Sequence, residues 1–182
     1  MKTLIFNGSP RINGDTASLI NFVIPKLNGE YKIVNAYFDN ISPCVDCRYC
    51  WKASGCAIDD EMHQVYTYIE KCDNIIIASP IYFSELTGKL LDIASRLQMY
   101  YCAKHFRNES LINKAKTGAV ILVGGGDGNS DKAYDTACTI LRHMNSSVIY
   151  EPIISHNTNI YPAINDSSVI GKLNKLVEFL NH

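Results

Sequence analysis

An α/β architecture, a doubly wound five-stranded parallel sheet with helices on both faces, is predicted by three features of this 182-residue chain. Apolar runs alternate with segments of helical period from end to end, the pattern of a parallel sheet whose crossovers are helices. The apolar runs are short and mostly β-branched, as strands covered on both faces should be. The length suits one compact domain over residues 1–182, large enough to cover both faces of such a sheet.

Strands are predicted at residues 3–6, 31–34, 74–78, 119–123 and 147–150. Between them, Leu19, Ile20, Val23 and Leu27 form one helical stripe, and Met62, Val65, Tyr66 and Ile69 another at i, i+3, i+4, i+7. Leu86, Leu90, Ile93 and Leu97 form a third, Tyr134, Ala137, Cys138 and Leu141 a fourth, and the run from Val169 to Leu180 a fifth. Each strand thus acquires a helix. Pro25 is awkward within the first stripe, because it removes a donor and crowds the preceding turn, so that helix should kink or end early. No repeat or low-complexity tract is present. The longest stretch without periodicity is the cysteine-rich loop at 39–57, and long loops in compact domains tend to be functional.

The apolar share is 47%, and 17 basic residues are offset by 18 acidic ones. This scattered, nearly neutral balance argues against nucleic acid as a partner. Met1 to Phe6 enters a strand at once and Asn7-Gly8 ends it, too soon for a signal-peptide core or a membrane span, so the expected location is cytoplasmic. Seven cysteines, four of them between residues 44 and 56, then point toward metal or redox chemistry in a reducing compartment.

The loop from Gly8 to Thr16 follows the first strand and opens the first helix. Unpaired N–H groups and the helix dipole make that junction favourable for an anion. Ser9 and Thr16 offer hydroxyl donors, and Arg11 a planar, permanent cation suited to phosphate. Neither a P-loop ending nor a G-x-G-x-x-G pattern is present, which favours a monophosphate over ATP or tightly held NAD. The same residues also suit a plain turn with a helix cap at Asp15 or Thr16. Two further loops fall at strand ends: Ser79-Pro80-Ile81-Tyr82-Phe83-Ser84, and the glycine run Gly124-Gly125-Gly126. In a doubly wound sheet all three should converge on one crevice at the carboxyl edge. There Tyr82 and Phe83 could pack beside a flat heterocycle and the glycines let backbone N–H groups approach its polar rim, although either feature alone also suits core packing or an ordinary loop.

In combination the Gly8-Ser9-Pro10-Arg11 loop, the Ser79-Pro80-Ile81-Tyr82 segment, Arg96 and the glycine loop from Gly124 resemble the flavodoxin-like NAD(P)H-dependent FMN reductase family, over nearly the whole chain. The resemblance implies sheet order 2-1-3-4-5. It implies that Ser9, Arg11, Asn13, Asp15 and Thr16 hold the FMN phosphate, that Pro80, Ile81, Tyr82 and Phe83 border the isoalloxazine ring, and that Gly124, Gly125 and Gly126 close its other side. It further implies NAD(P)H as transient donor, a small acceptor such as a quinone or flavin, and a homodimer or larger homo-oligomer, for which Tyr100, Tyr101 and Phe106 offer an apolar surface. Two departures stand out. Asp15 occupies a position where the family commonly has Asn, and its charge is unfavourable beside a phosphate unless it turns away. Ser95 precedes Arg96 where the family often has Asp, which removes a usual salt-bridge or dimer contact.

Cys44, Cys47, Cys50 and Cys56 form C-x2-C-x2-C-x5-C, a spacing that can wrap a [4Fe-4S] cluster because short gaps let the chain turn around one inorganic core. This is similar to the iron-sulfur flavoprotein branch of the family, in which a ferredoxin-like donor would feed electrons through the cluster to FMN. A structural zinc site, a thiol redox pair and inert free cysteines are the competing readings. A domain that kept the fold and lost its cofactor is the non-enzymatic alternative. Cys72, Cys102 and Cys138 are expected to be buried small hydrophobes, and the five histidines show no ligand spacing.

Overall fold

The computed structural model describes residues 1–182. In chain order the elements are β1 (Lys2–Asn7), α1 (Asp15–Val23), β2 (Glu30–Asn35), α2 (Tyr49–Lys52), α3 (Met62–Lys71), β3 (Asn74–Pro80), α4 (Gly88–Ser95), α5 (Gln98–Phe106), β4 (Lys116–Val123), α6 (Asp131–His143), β5 (Ser146–Ile149), β6 (Ile153–Ser155) and α7 (Ser167–Leu180). All pairings are parallel, and the strand order is β2-β1-β3-β4-β5. This is the flavodoxin-like order.

The expected five strands become six. β5 pairs with the start of β4, from Lys116 to Gly118, while β6 pairs with its end, from Ile121 to Val123. Pro152 interrupts the edge between them, since it brings no ladder donor, and the three-residue remainder is too short to stand out by pattern. Along the central strands, alternate residues face opposite layers. Leu4, Phe6, Ile75, Ile77, Val120 and Leu122 join the core beneath α3, α4, α5 and α6. Ile5, Ile76, Ala78, Ala119, Ile121 and Val123 join the one beneath α1 and α7.

Pro25 acts as anticipated: α1 stops at Val23, and Ile24–Lys26 form a 3-10 turn that leaves Leu27 outside the helix. Leu86 and Leu97, read as parts of the third stripe, flank α4 and are buried all the same. Two helices were not expected, α2 inside the cysteine loop and α5 after α4. Within α5, Tyr100 is buried, so of the three residues expected to offer an apolar surface only Tyr101 and Phe106 are exposed. No helix is long and apolar enough to cross a membrane.

Candidate functional site

The three loops at the carboxyl ends of β1, β3 and β4 converge on a cleft of about 280 Å³. Ser9, Arg11, Asp15, Thr16, Pro80, Ile81, Tyr82 and Gly125 line it, together with Pro10, Gly14, Val123, Thr158 and Asn159. Asn13, Phe83, Gly124 and Gly126 do not. Thr158 and Asn159 escaped the sequence reading because they follow the unrecognised β6. The polar run His156-Asn157-Thr158-Asn159 was the available signal.

Backbone contacts set the cleft's floor. The Gly8 N–H donates to the Ala78 carbonyl at 2.8 Å, and Thr87 Oγ1 donates to the Gly8 carbonyl at 2.8 Å. A Cβ on Gly8 would lie 2.8 Å from Ser79 Oγ, so only glycine allows this approach. Ser9 is buried, its hydroxyl accepting from the Arg11 N–H at 3.1 Å and donating to the Arg11 carbonyl at 3.2 Å. Gly14 precedes α1 without a side-chain cap, which leaves the helix's first N–H groups without an acceptor. Asp15 turns away from that end: its Oδ1 accepts from the Ala163 N–H at 2.8 Å, tying α1 to the segment before α7. At the opposite wall the Gly124 carbonyl accepts from the Thr158 N–H at 3.1 Å, and Gly125 abuts the Asn159 amide, where a Cβ would lie 2.7 Å from Nδ2.

Tyr82 and Glu85 exchange both backbone hydrogen bonds, at 2.9 and 3.0 Å, around Phe83 and Ser84. Both central residues have positive φ, 53° and 61°. A tight turn of this kind normally takes Asn-Gly. The strain is held by Glu85, whose carboxylate accepts from the Leu86 N–H at 2.8 Å and from Thr136 Oγ1 at 3.0 Å. Phe83 stands wholly in solvent and Tyr82 is 45% exposed, so neither is the core aromatic its type suggests. Donors without acceptors at one end and a half-exposed aromatic at the other suit a phosphate-bearing planar ligand.

A second cavity, of about 390 Å³, is lined by all four clustered cysteines and by Cys102 of α5. Asp46 and Arg48, on either side of Cys47, have φ of 51° and 59°, and Gly55 before Cys56 has φ of 86°. These left-handed residues curl the chain between the thiols. Trp51 stacks on Phe106, with ring centroids 4.2 Å apart, and the Arg48 guanidinium lies over Trp51. All seven cysteines are free, and no three His, Cys, Asp or Glu side chains converge closely enough to hold a metal ion. The donor set still fits an iron-sulfur centre, being four thiols on one curled loop around one cavity. Cys72 and Cys138 are buried as expected. Cys102 is buried too, but it belongs to this cavity: burial and a hydrogen bond to Cys102 push the Cys50 thiol up to about 11.

Two arginines hold the loop. Arg107 Nη1 donates to the Cys50 carbonyl while its guanidinium pairs with Glu109 at 2.9 Å. Arg96, wholly buried, pairs with Asp60 at 2.6 Å. Burial works against charge on the Asp60 carboxyl, but Arg96 and the Ser42 and Met62 N–H groups hold it below the usual carboxylate range. Ser95, in the place of the family's common Asp, accepts from the Cys44 N–H at 2.9 Å and donates to the Asp92 carbonyl. Arg96 therefore finds its carboxylate 36 residues upstream, beyond the reach of any local pattern.

A family model for NADPH-dependent FMN reductase matches residues 1–159, which include the three loops, the cysteine motif and Asn159. An iron-sulfur flavoprotein of Methanocaldococcus jannaschii is 30% identical over 129 residues, 69% of this chain and 62% of that protein. Another, from Methanosarcina thermophila, is 29% identical over 128 residues, 69% of this chain and 64% of that protein. The match thus spans less than two thirds of the length of either relative. Among solved structures, an FMN-dependent NADH-azoreductase of Bacillus anthracis in complex with FMN superposes with TM-score 0.73 at 14% identity, covering 100% of both chains. An NAD(P)H:quinone oxidoreductase of Methanothermobacter marburgensis gives 0.70 at 14% identity, covering 100% of this chain and 98% of that one. At such identities the likeness is one of fold.

Proposed function

The chain belongs to the NADPH-dependent FMN reductase family of oxidoreductases, and on that premise we propose that it binds FMN in the strand-end cleft and catalyses NAD(P)H-dependent reduction of a small acceptor such as a quinone or flavin. The observation that carries this reading is the convergence of the Ser9–Thr16, Pro80–Tyr82 and Gly125 segments on one cleft. Arg11 and the free N–H groups of α1 would hold the phosphate. Ser9 keeps the loop's shape, and Asp15, tethered to Ala163, keeps its charge off the anion. Ile81 and Tyr82 would border the ring, opposite Gly125 and Asn159. When bound, FMN supplies the redox chemistry, so the chain needs to position it and limit access to it rather than donate an acid or base. The free thiols suit a cytoplasmic setting, and the exposed Tyr82, Phe83, Tyr101 and Phe106 suit a homodimer.

A second reading, favoured by the four thiols around one cavity and by the names of the relatives, is a [4Fe-4S] cluster held by Cys44, Cys47, Cys50 and Cys56 and fed by a ferredoxin-like donor. When bound, such a cluster supplies one-electron transfer. The helix α4 favours it further, because Thr87 at its start bonds the first cleft loop and Arg96 at its end holds the cysteine loop. Its eight residues span about 12 Å at 1.5 Å each. Anaerobic purification with flavin, iron and sulfide analysis separates the readings. Flavin without iron, bleached by NADH or NADPH, supports the first. About four irons and four sulfides per chain, with flavin that responds only to a one-electron donor, supports the second. A protein with no FMN affinity overturns both.

A further inference from the structure

The Arg96 guanidinium makes four hydrogen bonds, and all of them reach the segments that bracket the cysteines. Its Nη1 donates to the Ser42 carbonyl at 2.8 Å and to Asp60 Oδ2 at 2.6 Å, and its Nη2 to the Ile58 carbonyl at 3.3 Å and to Asp60 Oδ1 at 3.2 Å. Ser42 lies two residues before Cys44 and Ile58 two residues after Cys56. One guanidinium thus closes the base of the loop that carries all four thiols. It also forms part of the wall of their cavity.

The fifth donor, Nε–H, is buried and has no partner. An unmade hydrogen bond on a buried cation is costly, and in a native protein it calls for an acceptor at that place. A neutral thiol is a weak acceptor, whereas a thiolate or a sulfide is a strong, charge-assisted one.

We propose that Arg96 is a positioning residue for the cysteine centre: it fixes both ends of the ligand loop, and its spare Nε–H and charge stabilise the negative charge gathered there, raising the reduction potential of a bound cluster. This rests on the second reading above, that the cavity holds an iron-sulfur cluster. Four thiolates around such a core carry net negative charge that grows on reduction, so a buried cation favours the reduced state. Hydrogen bonds to the sulfurs and net charge are the levers that set such potentials. Lysine could keep the charge but not the fork that spans Ser42, Ile58 and Asp60 together.

The test uses the full chain, reconstituted anaerobically with iron and sulfide, as wild type, Arg96→Lys, Arg96→Gln and Asp60→Asn. Iron and sulfide content and the midpoint potential are read, with FMN titration and far-UV circular dichroism as controls for folding. Arg96→Gln is expected to shift the one-electron equilibrium at least tenfold toward the oxidised form, about 59 mV lower in potential. Asp60→Asn, which loosens the clasp but keeps the cation, is expected to hold less iron without any fall in potential. A staple with no electrostatic role moves both variants the same way. Arg96→Lys, which keeps the charge but not the fork, is expected to hold less iron with a smaller fall in potential than Arg96→Gln. Folded Arg96→Gln that loses the cluster supports the fixing role. Loaded Arg96→Gln with wild-type potential overturns the proposal and leaves the cluster reading standing. A wild type that takes up neither iron nor sulfide overturns the cluster reading, and the proposal with it.

Discussion

In the strand-end cleft the backbone is fixed by the sheet: the Gly8 N–H bonds β3, the Gly124 carbonyl holds Thr158, and Gly125 admits Asn159. In the cysteine cavity no strand sets the loop, and two arginine side chains grip its carbonyls and carboxylate from α4 and from the turn after α5. The first site is therefore shaped by the backbone itself. The second has fixed ends, but no three of its thiols converge closely enough to hold a metal ion. A site built from sheet geometry tolerates loss of a side chain, whereas one built from a buried ion pair does not.

The sharpest way to break the contrast is at the clasp. Asp60→Asn leaves the Arg96 charge buried without its counter-ion and is expected to destabilise the protein by about 3–5 kcal/mol in urea denaturation. The pH dependence follows from the depressed Asp60 carboxyl. Its contribution is complete above about pH 4, the ordinary carboxylate value. It is lost as pH falls through the lower folded value, so below pH 4 the wild type should lose more stability than Asp60→Asn.

Arg11, exposed in the cleft loop, is expected to behave in the opposite way. Arg11→Ala should weaken FMN binding about 10- to 150-fold, the value of about 1.5–3 kcal/mol for a hydrogen bond to a charged group, with no change in melting temperature. Unaltered affinity would remove the phosphate from this loop. Gly8→Ala tests the backbone floor, and pushing a methyl against Ser79, Leu90 and Thr87 should cost about 1–3 kcal/mol by thermal unfolding. The smallest effect belongs to the strained turn. Replacing Phe83-Ser84 by Asn-Gly is expected to relieve the left-handed strain and stabilise by about 1 kcal/mol, a rise in melting temperature of about 2–4 °C. An unchanged or lower melting temperature would mean that Phe83 makes contacts that offset the strain.

The three cleft loops were legible because each follows an apolar run directly, and a parallel sheet delivers all such loops to one edge. β6 and the Thr158–Asn159 pair were not, because three residues after a proline carry too little pattern. The stripe ending at Leu97 likewise ran into α5, whose register no local spacing separated from that of α4. Cys102, read as a small hydrophobe, shares a cavity with the cysteine motif only because α2 packs on α5.

By itself the amino-acid sequence determined the alternation of strands and helices, the loops at the strand ends and the thiol motif, since periodicity and turn chemistry act over a few residues. Tertiary structure alone decided that Asp15 turns to Ala163, that Arg96 meets Asp60, and that a fifth thiol lines the same cavity as the other four. Each of these joins residues dozens of positions apart, and burial, not local spacing, selects such partners.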